Sequence, residues 1–362
     1  MRTLFRSSGR PGCFRKISRR PAQDSKNTSP DDLVTFVEAG YHKLLALVAL
    51  VAAVGSPAFP QSQNSNTQDE PLKLSTQLVV VDAQVLSKKT GTPVNGLSER
   101  DFTIYEEGVK QQITHFSRDR LPLSIVLLLD VSASVMPVVE QVRNSGLRAL
   151  NELKPGDEVA LMAFGAWATV LQEFTRDREL IAAQVSFIDS MGPWIREGTH
   201  IDEAVFTAAN YLAKASNPNS RRIIVVVTDN LSNQPPNFGH SEAQALQMLH
   251  EAGTAFCGLI VGDFDATAIE YKRKGFYLRN SIASFVAETG GILSQVDKDD
   301  VTAKLARLIE RLRSRYSLGY TPLNAKRDGK FRNIKLKVAA DIERRNGDVT
   351  IVARKGYFAG LN

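Results

Sequence analysis

Five oxygen-bearing side chains are spaced so that they could share one ion. Asp130, Ser132 and Ser134 stand on alternate positions in DVSAS, Thr199 lies in GTHIDEA, and Asp229 lies in VVVTDN. Hydroxyls and carboxylates without imidazole or thiolate suit a hard divalent cation: Mg²⁺ first, with Mn²⁺ or Ca²⁺ as alternatives. Two aspartates bring two negative charges to one doubly charged ion. With few carboxylates bound directly, such an ion stays electrophilic and keeps room for an outside ligand. Taken singly, each residue has a local explanation. Ser132 and Ser134 could cap a helix after Pro137, Thr199 could cap the one that follows it, and Asp229 could close a turn.

The elements around these residues favour a shared site. Ser124–Leu129, Glu158–Phe164, Arg222–Thr228 and Ala255–Val261 read as short, continuous apolar strands. Between them run helical stripes, one through Ile201, Ala204, Val205, Ala208, Tyr211, Leu212 and Ala215, another through Val301, Leu305, Leu308, Ile309 and Leu312. Apolar strands interleaved with amphipathic helices mean a doubly wound, mostly parallel α/β sheet. Ligands of such sheets sit beyond the carboxyl ends of the strands, where Asp130, Thr199 and Asp229 should meet. On either side of this central segment, residues 121–315, the pattern turns to period-two alternation. Val79, Val81, Ala83 and Val85 alternate near one end, and Ile334, Leu336 and Val338 near the other. Neither piece is large enough to hide its apolar face alone, so residues 72–120 and 316–362 are expected to pack together as a β-sandwich-like module.

Composition narrows the function. The chain has 362 residues, is 43% hydrophobic and carries a net charge of +6. Most of that excess falls in residues 1–33, where eight Lys and Arg face three Asp. The remainder is close to neutral, which argues against a nucleic-acid partner. Residues 1–43 therefore read as a basic extension, and the apolar run Leu44–Val54 with small residues through Ala58 reads as a secretory signal segment over 44–59. Its distance from Met1 points to a true start downstream, near Val34 or Val37; an uncleaved anchor with a basic arm is the other reading. Residues 60–71 form a polar linker. Cys13 falls in the extension and Cys257 in an apolar strand, so no intramolecular disulfide is expected of the exported part. The chain is not expected to be an enzyme. Ser132 stands where a haloacid-dehalogenase-type phosphatase needs a second Asp, and no G-x-S-x-G, G-x-x-x-x-G-K-[ST] or H-E-x-x-H occurs.

The pattern Asp130-x-Ser132-x-Ser134, then Thr199, then Asp229, resembles the metal-ion-dependent adhesion site of von Willebrand factor type A domains. The resemblance spans about Leu123–Tyr316. It implies that Ser132 and Ser134 ligate the ion directly, that Asp130 acts mainly through water, and that Thr199 and Asp229 do either according to state. It also implies that a partner's carboxylate takes the sixth position. Ala133 and Asn230 stand where many members of that family have Gly. The flanking GLSERDFTIYEEGVKQQITHF and ARKGYFAG look like those of exported bacterial proteins with a related domain, a group common in acidobacteria. The expected function is an exported adhesion-type module binding an acidic protein partner through Mg²⁺. A structural envelope protein with a vestigial site, or a metal-assisted hydrolase, is the alternative. Trp194, Phe238, Lys272, Arg273 and Lys274 fall in loops of the same edge, where a basic, aromatic rim could meet that partner or simply pin the loops.

Overall fold

The chain divides into two units, Met1–Lys73 and Leu74–Asn362. The computed structural model describes residues 78–118, 121–140, 150–188, 198–235, 237–262, 273, 281–297 and 300–360, all within the second unit. The signal segment and the linker expected from the sequence lie outside the described residues.

The chain enters through β1 (Val79–Ser87), then β2 (Phe102–Glu106), β3 (Val109–Gln111) and β4 (Ile113–Ser117). The central part follows with β5 (Leu123–Asp130), β6 (Glu158–Phe164), β7 (Ala168–Thr175), β8 (Arg221–Thr228), β9 (Ala255–Val261) and β10 (Leu293–Val296). The end of the chain adds β11 (Tyr316–Tyr320), β12 (Phe331–Val338), β13 (Val349–Ala353) and β14 (Gly356–Phe358).

The central strands form one sheet in the order β10-β9-β8-β5-β6-β7. The first five run parallel and β7 antiparallel. All eight residues of β5 and all seven of β6 are buried, as strands covered on both faces require. Alternation splits them cleanly. Leu123, Ile125, Leu127 and Leu129 pack with Val301, Leu305, Leu308 and Leu312 of the helix Val301–Arg313. Val126 and Leu128 point the other way, to Ile201, Ala204, Val205 and Ala208 of the helix Ile201–Tyr211. The doubly wound α/β expectation is met. The sequence reading omits two edge strands, β7 and β10. Their burial is mostly partial, so they lack the continuous apolar signature of the strands inside. The stripe expected to run to Ala215 ends earlier, where the helix tightens into a 3₁₀ turn at Leu212–Lys214.

Both chain ends build the flanking sheets. One has the order β13-β1-β11-β4 and the other β14-β12-β2-β3, each antiparallel and each mixing strands from the two ends. Val79, Val81, Ala83 and Val85 from the first share a core with Phe102, Ile104 and Ile334 from the second. Within this core the Glu106 carboxylate accepts from the Tyr320 and Tyr357 hydroxyls at 2.8 and 2.9 Å, with Arg332 at 3.4 Å. Four buried polar groups thereby satisfy one another across β2, β11, β12 and β14.

Candidate metal centre

β5 has β6 on one side and β8 on the other, so the chain leaves the sheet in opposite directions at the β5/β8 boundary. That is the switch point where an open parallel sheet leaves a crevice. Asp130 is the last residue of β5, and Asp229 comes one residue after β8 ends.

The loop after β5 is shaped by Asp130 itself. The Ser132 N–H donates to its Oδ1 at 2.9 Å, folding the backbone back, and the Thr228 hydroxyl donates to its Oδ2 at 2.7 Å. Asp130 is fully buried with both carboxylate oxygens in use. That turn carries Ser132 and Ser134 round together, their hydroxyl oxygens 3.3 Å apart. The Ser134 hydroxyl crosses to β8, donating to Asp229 Oδ2 at 2.6 Å, while Asp229 Oδ1 accepts from Leu231 N–H at 3.0 Å. Asn230 adopts the left-handed backbone, φ 63°, which Asn tolerates better than most residues and which turns the chain beneath Asp229. Thr199 joins through its backbone: its carbonyl accepts from Asn233 N–H at 3.0 Å and from the Ser232 hydroxyl at 3.1 Å. Its own N–H donates to Asn233 Oδ1 at 2.8 Å. Ser132, Thr199 and Asp229 are buried, whereas Ser134 is exposed.

The electrostatics are unfavourable for two bare carboxylates. Burial, and after it the Asp229 charge, raise Asp130 from the ordinary 3.8 to about 7. Burial raises Asp229 as well. No cation contributes to either shift among the described residues. Two enclosed carboxylates beside the Ser132 and Ser134 hydroxyls, with no compensating charge among the described residues, form an all-oxygen donor set that fits a hard divalent ion. Among the described residues no group of three or more His, Cys, Asp or Glu is placed to hold a metal, so any ion here must rely on hydroxyls and water.

Of the five rim residues read from sequence, Trp194, Lys272 and Lys274 lie outside the described residues. Arg273 is exposed. Phe238 is placed, with its ring 5.7 Å from His200 and 4.7 Å from Trp167. The sequence reading passes over Trp167, which is 46% exposed. It lies in the turn between β6 and β7, beside the carboxyl end of the strand paired with Asp130. The lost signal is the hairpin: without β7, GAW does not read as a tight turn on this edge. Thr228, Ser232 and Asn233, which tie these loops together, also go unread, because their roles depend on contacts between loops distant in sequence.

The von Willebrand factor type A domain model matches residues 125–232, a span that holds all five of the oxygen-bearing residues. The match makes residues 125–232 von Willebrand factor type A-like. Solved structures similar to the chain include BatB from Bacteroides thetaiotaomicron, at 20% identity over 52% of this chain and 98% of that one, TM-score 0.38. Proximal thread matrix protein 1 from the mussel byssus, with a zinc-occupied MIDAS motif, is similar at 14% identity over 57% and 49%, TM-score 0.43. The von Willebrand factor domain of the type V pili tip protein Mfa5 from Porphyromonas gingivalis is similar at 12% identity over 53% and 95%, TM-score 0.41. No curated protein matches the chain.

Proposed function

We propose that the von Willebrand A domain binds a protein partner through a divalent cation, Mg²⁺ first, held by Asp130, Ser132, Ser134, Thr199 and Asp229. The observation that carries this reading is the pair of buried carboxylates, Asp130 and Asp229, without a cationic neighbour among the described residues and beside an exposed Ser134 hydroxyl. Ser134 and Asp229 already share a 2.6 Å hydrogen bond, so both can turn to one ion with little rearrangement. The Asp130 oxygens are held by Ser132 N–H and Thr228, a placement suited to orienting water on the ion rather than binding it directly. When bound, the ion supplies an electrophile open to an outside carboxylate, and the chain's residues shape what approaches it. Trp167 and Phe238 would give the approaching partner an aromatic surface, and the role is binding rather than turnover.

Thermal unfolding of the full chain after chelation, with each ion added back, tests the proposal. An ion at about 100 times its dissociation constant stabilises by roughly 2.7 kcal/mol if it binds only the folded state. The rise is expected in wild type and lost in Asp229→Ala. Equal melting with and without every ion favours a structural role with a vestigial site.

We further propose that the chain is exported by the apolar segment 44–59. N-terminal sequencing of the mature protein should then find a start beyond residue 58; a mature chain still carrying Arg2–Arg20 overturns it.

A further inference from the structure

At the opposite edge of the central sheet, where its strands begin, a cleft opens against the flanking sheet that contains β1 and β11. Arg221 and Arg222 open β8, Thr254 precedes β9, and Arg315 lies between the helix Val301–Arg313 and β11. Asp82 of β1 and Arg354, between β13 and β14, complete the polar lining of a cleft of about 40 Å³.

Arg221 is the fixed part of this lining. Its guanidinium donates to the carbonyls of Arg313 at 2.9 Å and Arg315 at 2.8 Å and sits 3.3 Å from Asp82. Asp82 in turn accepts from the Ser317 hydroxyl at 2.5 Å. The other cations are held less fully: Arg222 donates to the Ala252 carbonyl at 3.4 Å and Arg354 lies over the Tyr357 ring at 5.7 Å. Arg315 is 3% exposed, yet its Nε and Nη2 have no hydrogen-bond partner among the described residues. The enclosed Arg354 Nε and Thr254 Oγ1, on the same cleft, have none either. Burial makes the charge of both Arg315 and Arg354 costly. A guanidinium does not shed its proton in proteins, so that cost is met by a counter-charge or not at all. Among the described residues Asp82 is the one carboxylate lining the cleft, and Arg221 already holds it. The guanidiniums of Arg221, Arg222, Arg315 and Arg354 against one carboxylate leave an excess of three positive charges among the described lining residues.

We propose that this cleft is an oxyanion site for a phosphate group, a dianion that offsets most of the excess charge. Its oxygens accept from the guanidiniums of Arg315 and Arg354 and from the Thr254 hydroxyl once these enclosed groups turn toward the cleft, the planar donor geometry that makes arginine a phosphate binder. The inner cleft continues into a wider one that shares Asp82, Arg221, Arg222 and Arg354 and adds His115, Leu121 and Asn219. This leaves space for the remainder of a phosphorylated molecule.

The test is titration of the full chain with inorganic phosphate and with phenyl phosphate, at constant ionic strength set by chloride, read by calorimetry and thermal shift. Saturable binding is expected, weakened at least about tenfold, the equivalent of about 1.4 kcal/mol, in Arg315→Met and in Arg354→Gln. Arg354 is partly exposed, so the second variant reports even if the first does not fold. Tighter binding of phenyl phosphate supports the site and assigns the outer cleft to the rest of the ligand. Tighter binding of inorganic phosphate supports the site for the free ion. No saturable response to either probe overturns the proposal, as does unchanged affinity in Arg354→Gln.

Discussion

Asp130 shows how one buried carboxylate can be both a liability and a device. Its two oxygens hold the ends of two different loops, yet burial and Asp229 together push its protonation up to about 7. The folded protein therefore binds that proton more tightly than the unfolded chain does between pH about 4 and about 7. Across this window the proton-linked stability of metal-free protein is largest at the acid end and is lost as pH rises. Carboxylates lowered by their hydrogen bonds, such as Glu158 and Glu203, act in the opposite direction. The prediction is therefore a difference. Chelated wild type should lose stability relative to Asp130→Asn as pH climbs from about 4 to about 7, read from urea midpoints at each pH. Saturating Mg²⁺ should remove or invert that trend in wild type, because the ion replaces the proton. Parallel midpoints across the window would show that Asp130 is not held protonated. Of this residue-scale arrangement, the sequence shows the five oxygen donors through their types and spacing. It does not show that Thr228 and Leu231 N–H are what aim the two aspartates.

Among the elements, the packing of the helix Ile282–Thr289 against the flanking sheet is set by a close backbone approach. Gly290 ends that helix in the left-handed conformation, φ 68°, and a Cβ there would run into the Ala353 and Arg354 backbone of the β13–β14 connection. Gly91 has the same φ, 68°, with nothing within 4 Å of the corresponding position. Each Ala substitution costs about 1–2 kcal/mol for the left-handed backbone. Gly290→Ala should cost clearly more than Gly91→Ala by chemical denaturation, and equal losses would mean that the connection yields to the added methyl. Helices and buried strands are legible at this scale because their apolar periodicity is strong. The edge strands β7 and β10 are not, since partly exposed strands carry a mixed pattern that resembles loop.

For the molecule as a whole, the consequence of strand pairing is that both chain ends are tied together beside the central sheet. β1 pairs with β11 and β13, and β2 pairs with β12, so the flanking sheets cannot open without releasing the segments that enter and leave the von Willebrand A domain. Glu106 sits at the centre of that tie. Glu106→Ala leaves two tyrosine hydroxyls and part of the Arg332 charge unsatisfied in a buried place, a loss of roughly 3–5 kcal/mol. If the second unit unfolds as one body, tryptophan fluorescence and far-ultraviolet circular dichroism should shift down together in this variant. A tryptophan transition left at its wild-type temperature would show that the central domain unfolds independently.

The sequence by itself determined the α/β alternation, the von Willebrand A-like character of the central segment and the spacing of its five oxygen-bearing residues, because period, strand length and residue type are local properties. Only the tertiary structure decided which loops orient Asp130 and Asp229, that Trp167 stands beside Phe238, and that Arg221, Arg315 and Arg354 gather at the opposite edge. Those three arginines are spread over more than 130 residues of chain, and nothing local marks them. The physical reason is that burial and pairing depend on long-range packing: a guanidinium reads as surface until strands from both chain ends close over it.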